Sequence, residues 1–136
     1  MIPLHGLPDK PYAVLGLGIS GLAACRALIA SGKSVWAWDD SAAARGAADS
    51  AGIPLLDLAG ADLASAAALV LSPGIPHTHP HPHPVVARAR QAGCPVIGDG
   101  ELLARAGIRA ECVGITGTNG KSTTTALIGH ILAEAG

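Results

Sequence analysis

The sequence contains no phenylalanine, two tryptophans and one tyrosine, so its apolar fraction of 49% leans heavily on alanine. Charge is sparse as well. Nine basic and ten acidic residues leave a formal net charge of −1, which offers no basic field for nucleic acid or an anionic membrane surface. No apolar run approaches the roughly 20 residues of a membrane span. The opening Met1-Ile-Pro-Leu-His-Gly6 has neither the basic region nor the apolar core of a secretion signal. Cysteine is limited to Cys25, Cys94 and Cys112, far apart and without metal-ligand spacing. These are expected to be reduced, buried small hydrophobes of a cytoplasmic protein. Neither a membrane nor a nucleic acid is expected as partner.

What the chain does have is glycine in two patterned loops. In the later one, an apolar, strand-like run (Cys112 to Thr116) enters a loop with Gly117 and Gly120, then Lys121, Ser122 and a helix-like segment. Glycines let backbone N–H groups close around phosphate oxygens, a lysine adds mobile positive charge, and a hydroxyl reaches Mg²⁺. The usual phosphate-loop spacing places glycine where Ile115 stands, with Gly114 and Gly117 on either side. An ordinary strand–turn–helix corner is the competing reading.

The earlier loop follows Tyr12-Ala-Val-Leu15. Gly16-Leu-Gly18-Ile-Ser-Gly21 leads into Leu22 to Ile29, apolar at helical spacing and stopped by Gly32. In a dinucleotide-type turn the first glycine permits the bend, the second admits a diphosphate, and the third lets helix approach strand. A second strand, Ser34 to Trp38, ends at Asp39-Asp40, where an acid commonly accepts hydrogen bonds from a ribose. A tight βα turn without a ligand would show the same glycines.

Further along, a helix is predicted from Ser41 to Ala51, a third strand at Ile53 to Leu56 and a weak helix at Ala61 to Ala67. A fourth strand, Ala68 to Leu71, stops at Ser72-Pro73-Gly74. The turns after Leu15, Trp38 and Leu71 would share one rim of a parallel sheet, where ligands sit; a purely structural Ser-Pro-Gly turn is the alternative. The proline-alternating tract with His77, His79, His81 and His83 reads as a solvated connector, because polyproline geometry rotates alternate residues apart. A helix over Val85 to Ala92, a fifth strand over Pro95 to Ile97 and a helix over Glu101 to Ala106 complete this part. The fold class is therefore α/β, a Rossmann-like parallel five-stranded sheet with helices on both faces.

Residues 1–106 are expected to form that domain, 107–110 a hinge, and 111–136 the first strand, P-loop and helix of an ATP-binding domain. The closing helix, Ser122 to Ala135, puts Leu127, Ile128, Ile131 and Leu132 on one face. About 25 residues are too few for the remaining strands of such a domain, so the chain is expected to be a truncated piece of a longer protein.

Thr116-Gly-Thr-Asn-Gly-Lys-Ser-Thr123 resembles the ATP loop of the Mur ligases and their folylpolyglutamate synthase relatives, which also lacks the first glycine. Gly16 to Gly21, Asp39, Leu71-Ser-Pro-Gly-Ile75, His79-Pro80, Gly98-Asp99 and Glu101-Leu102 resemble the branch of that family that adds D-glutamate. The resemblance covers nearly the whole chain. It implies that Gly18, Ile19, Ser20 and Gly21 line the diphosphate and uracil of a UDP-linked substrate, with Asp39 and Asp40 near the uracil. Ser72, Pro73 and Gly74 would contact the nucleotide-sugar. Gly117, Thr118, Asn119, Gly120, Lys121, Ser122 and Thr123 would hold ATP, with Lys121 on the β/γ oxygens as the catalytic cation and Ser122 on Mg²⁺. Asp40 departs from the hydroxyl residue of the family pattern, and His77, His81 and His83 are additions to it.

The implied activity is an ATP-dependent ligase of peptidoglycan synthesis, a monomer that joins D-glutamate to UDP-N-acetylmuramoyl-L-alanine through an acyl phosphate. The 136-residue chain by itself is expected to be inactive. Two other functions remain open on the residues alone. A nicotinamide- or flavin-binding oxidoreductase module would account for the first glycine loop and Asp39 but not for residues 114–125. A non-catalytic nucleotide-binding module is the other, and it would require that the full gene ends at Gly136.

Overall fold

The computed structural model describes residues 4–107, 111 and 113–136. Four short strands form one parallel sheet: β1 (Tyr12–Leu15), β2 (Val35–Trp38), β3 (Ala68–Leu71) and β4 (Val96–Gly98), in the spatial order β2-β1-β3-β4. The helices are α1 (Ile19–Ala30), α2 (Ala42–Ser50), α3 (Pro84–Gln91), α4 (Asp99–Arg105) and α5 (Lys121–Ala135).

Every residue of β1 and β3 is buried, as the central strands of a parallel sheet covered on both faces must be. Successive side chains point to opposite faces. Tyr12, Val14, Ala68, Val70 and Ile97 join residues of α1, α2 and α4 in one core. Ala13, Leu15, Leu69 and Leu71 join Val85, Val86 and Ala89 of α3 in the other. Helix α1 buries Gly21, Ala24, Cys25 and Leu28, a stripe at helical spacing. The segment ahead of β1 is part of the core: Leu4 and Leu7 are buried with α1 and α4, and the Leu4 N–H donates to Ser31 Oγ at 3.0 Å.

Four strands replace the five predicted. Residues 53–56 contribute a single parallel bridge, Ala37 to Leu55, outside the β2 edge. It is held by the Ala37 N–H on the Pro54 carbonyl (3.2 Å) and the Leu56 N–H on the Ala37 carbonyl (3.1 Å). Pro54 has no N–H to donate, which suits an edge and stops a ladder from growing. The weak helix expected at 61–67 contracts to a 3-10 turn, Leu63–Ser65, capped by Asp62. Helix α1 begins three residues before the apolar spacing implied, because Gly18 is the N-cap and the last residues of the glycine loop are already helical.

Val113 to Thr116 are not a strand. None of the four strands pairs with this segment, and an isolated strand has no ladder to satisfy its backbone. Cys112 and most of the expected hinge, residues 108–110, lie outside the described residues. Helix α5 buries none of its residues, and Leu127, Ile131 and Leu132 are exposed.

Candidate functional site

The strands end level. Leu15 pairs with both Trp38 and Leu71, and Leu71 pairs with Gly98, so the turns at their carboxyl ends open on one rim. From β1 the chain winds outward to β2 and then crosses to β3 on the other side of β1. That reversal opens a crevice between β1 and β3, the place where such sheets bind ligands.

The three glycines of the first turn meet three different demands. Gly16 sits at φ +92°, and a Cβ there would lie 2.7 Å from Ser72 Cβ. A Cβ on Gly21 would lie 1.8 Å from the Gly16 carbonyl oxygen, so only glycine lets α1 approach this closely. At Gly18 an added Cβ would meet nothing within 4 Å. No side chain caps α1 at Gly18, which leaves the first amides of the helix available to an anion. Ile19 is exposed, Ser20 half-buried and Gly21 buried.

The two acids at the end of β2 make different contacts. Asp39 Oδ2 accepts the Leu17 N–H at 2.7 Å, and its Oδ1 accepts the Ser41 N–H at 2.8 Å. Its carboxylate therefore braces the glycine turn from the neighbouring strand. Asp40 lies further out, and its Oδ2 is 2.9 Å from His83 Nε2. Arg45 Nη1 donates to the carbonyls of Asp39 (2.7 Å) and Asp40 (2.9 Å), while its guanidinium stacks over Trp38 at 4.6 Å.

Ser72 Oγ donates to the Gly16 carbonyl at 2.7 Å. The hydroxyl expected to face a ligand thus spends its proton on the fold and retains only its acceptor capacity. Pro73 and Gly74 are exposed beside it. Beyond the ends of β3 and β4 lies a cavity of about 340 Å³, lined in part by Ser72, Pro73, His77, Arg90 and Asp99. A groove of about 550 Å³ runs between α1 and α4, with Ile19, Ser20, Asp99 and Leu103 on its walls.

Arg45 was not singled out from sequence, and His83, read there with its neighbours as part of a solvated connector, is instead half-buried as the N-cap of α3 and bonded to Asp40. Arg45 is one of several polar positions on an alanine-rich helix, and the His83–Asp40 contact spans 43 residues. His77, His79 and His81 are exposed, as a solvated connector would be. No group of three or more histidine, cysteine or acidic side chains among the described residues is arranged to hold a metal.

Gly117 to Thr123 are all exposed. Gly120, in the left-handed conformation, is the N-cap of α5 and provides no side-chain cap. Lys121 Nζ donates to the Gly117 carbonyl, and Thr125 Oγ1 donates to the Lys121 carbonyl at 2.8 Å. The loop's first helical residue is Lys121, one position before the expected start.

The two described cysteines are shielded from solvent. Burial pushes the Cys25 thiol from 9.0 up to about 12, and burial raises Cys94 as well. Both are free and buried.

Residues 10–98 match the family model described as Mur ligase MurD-like, N-terminal domain. Over the whole chain, curated proteins called UDP-N-acetylmuramoylalanine–D-glutamate ligase are similar: 56% identical in Phenylobacterium zucineum, 54% in Caulobacter vibrioides and 52% in Paramagnetospirillum magneticum. Each alignment takes in 100% of this chain and 30% of the relative. The chain therefore spans under a third of the length of the curated relatives it matches. Among solved structures, shikimate dehydrogenase from Aquifex aeolicus superposes with a TM-score of 0.52 at 15% identity, covering 77% of this chain and 47% of that one. That likeness is one of fold alone.

Proposed function

Because the chain belongs to the Mur ligase family through a MurD-like N-terminal domain, we propose that its rim holds the UDP portion of UDP-N-acetylmuramoyl-L-alanine. In this reading the chain serves an ATP-dependent ligase of peptidoglycan synthesis that adds D-glutamate. The observation that carries it is the crevice between β1 and β3. There the uncapped amides of α1 and the open face of Gly18 lie beside the Ser72 turn.

The amides of Ile19, Ser20 and Gly21, at the positive end of α1, receive the diphosphate. Asp39 and Asp40 shape the uracil end, and Ser72, Pro73 and Gly74 border the sugar. Residues 1–106 form this substrate domain, with 107–110 as hinge and 111–136 as the start of the ATP-binding part. The N-terminus of α5 suits a triphosphate: it is exposed, uncapped by any side chain, and begins with Lys121 and Ser122. Gly117 to Thr123 would wrap the phosphates, Lys121 would neutralise the β/γ oxygens, and Ser122 would offer its hydroxyl to Mg²⁺. Magnesium, when bound, supplies further positive charge against the phosphate oxygens.

A carboxylate resists attack by an amine because its leaving group would be oxide. The reaction class we assign transfers a phosphoryl group from ATP to the L-alanine carboxylate, releasing ADP. The amine of D-glutamate then forms the amide bond and expels phosphate. The 136-residue chain, which carries under a third of its relatives' length, is proposed to bind the nucleotide without turnover.

Calorimetric titration of the chain with UDP and with NADH tests the site. Heat of binding with UDP and none with NADH is expected; the reverse result overturns the reading in favour of an oxidoreductase module. Phosphate release by the chain that depends on both ATP and D-glutamate would refute its inactivity.

A further inference from the structure

Asp40, at the end of β2, and His83, at the start of α3, meet in the fold. His83 is the N-cap of α3, and its Nδ1 accepts the Val85 N–H at 3.2 Å. A nitrogen that accepts carries no proton, so the neutral ring bears its hydrogen on Nε2. Nε2 lies 2.9 Å from Asp40 Oδ2 and donates to it. The imidazole is well shielded, with 14% of its side chain exposed against 73% for Asp40. Arg45 fixes the same aspartate from behind through its carbonyl. One carboxylate oxygen is thus anchored, and Oδ1 takes part in no hydrogen bond among the described residues. Asp39 differs, since each of its oxygens already accepts a backbone N–H.

We propose that His83 is a positioning residue of the rim, holding the Asp40 carboxylate so that Oδ1 accepts an N–H from the base of the bound nucleotide. The inference rests on the UDP reading above. A carboxylate accepts and cannot donate, so it favours the imide N–H of uracil and repels cytosine, which presents a lone pair at the same ring position. Base selection at this rim therefore runs through Asp40, and His83 keeps that carboxylate aimed.

The test is calorimetric titration of the whole chain with UDP and with CDP, in wild type, His83→Asn, Asp40→Ala and the double variant. Asparagine is as good an N-cap as any residue, so His83→Asn keeps the start of α3, but its side chain is too short to hold Asp40. The expected result is UDP preferred over CDP by about tenfold in wild type, the scale of one well-placed polar contact. In His83→Asn, UDP binding weakens about fivefold and the preference narrows. In the Asp40→Ala background the same substitution does nothing further, because the two residues act as a unit. An unchanged preference in His83→Asn, or a loss that persists in full without Asp40, overturns the proposal. A purely structural role would produce that second outcome. Independently, ¹⁵N spectra of the imidazole should show the proton on Nε2 in the free chain, and a proton on Nδ1 would refute the contact whatever the variants do. A wild type that binds no UDP overturns the site reading itself; UDP binding with an unmoved His83→Asn overturns this inference alone.

Discussion

Ser72 Oγ and the Gly16 carbonyl oxygen, 56 residues apart, are joined by a hydrogen bond of 2.7 Å. The bond ties the turn after β3 to the turn after β1, across the crevice where the strand order reverses. Ser72→Ala keeps the Cβ that packs on Gly16 and deletes only the donor. Unfolding in urea should show a loss of about 1 kcal/mol, the net worth of one such bond. UDP titration should show weakened binding, because the two turns no longer hold one another.

Gly18 and Gly21 should separate folding from binding. Gly21→Ala drives a methyl to 1.8 Å from a backbone oxygen, so α1 must shift; a loss of about 3 kcal/mol is expected from overpacking of this kind. Gly18→Ala meets no protein atom within 4 Å and requires no unusual backbone, since Gly18 has φ −72°. Its stability should stay within about 0.5 kcal/mol of wild type, while its UDP affinity falls. Denaturation and calorimetry on the same two variants decide the matter.

Asp39→Ala removes acceptors from two backbone amides at once. The Leu17 residue it serves is 3% exposed, so water replaces the lost partner poorly. A loss of about 2 kcal/mol is expected in urea unfolding. Asp39→Asn, which retains one acceptor oxygen, should lose less. Equal stability of all three proteins would show that the brace contributes nothing.

Alkaline stability should bear the mark of Cys25. Its thiol ionises at about 12 in the fold against an ordinary 9.0, because burial disfavours the thiolate. Above pH 9 the unfolded chain gives up this proton first and so binds fewer protons than the folded chain. Stability therefore falls with rising pH. The contribution is complete below pH 9 and is lost between 9 and about 12; Cys94, raised for the same reason, adds in the same direction. Urea midpoints from pH 7 to 10 should decline above 9, and Cys25→Ala should flatten the decline.

Amide exchange should be fastest in α5. A helix of 15 residues with none buried is near the lower limit of what stands alone in water, whereas β1 is buried throughout. Mass-detected deuterium uptake should saturate over residues 121–135 well before residues 12–15. Comparable protection in the two segments would mean that α5 is packed in solution.

The parts of the fold legible in the sequence are those in which a local rule agrees with the global packing. Tyr12 to Leu15, the glycine turn and the stripe Ala24, Cys25, Leu28 could be read because strand, turn and helix follow one another without a gap. Ile53 to Leu56 looked equally strand-like, but its position outside the β2 edge and the missing N–H of Pro54 reduced it to one bridge. Propensity does not reveal which strand becomes an edge. The rim itself was foreseen from the turns after Leu15, Trp38 and Leu71. The occupation of its polar groups was not: Asp39 turns back to Leu17 and Ser72 to Gly16, through contacts 22 and 56 residues long. The His83–Asp40 pair left no trace in periodicity or spacing, since it depends on where α3 begins relative to the end of β2.

Both tryptophans of the chain lie on one strand, β2, at Trp36 and Trp38, and Arg45 rests on the second. The protein's near-ultraviolet emission is consequently a local signal. It reports on the four residues of β2 leading to Asp39 and on the cation above them. A nucleotide that settles at the end of β2 would disturb that cation and quench or brighten the light, giving the rim an optical readout that needs no attached dye.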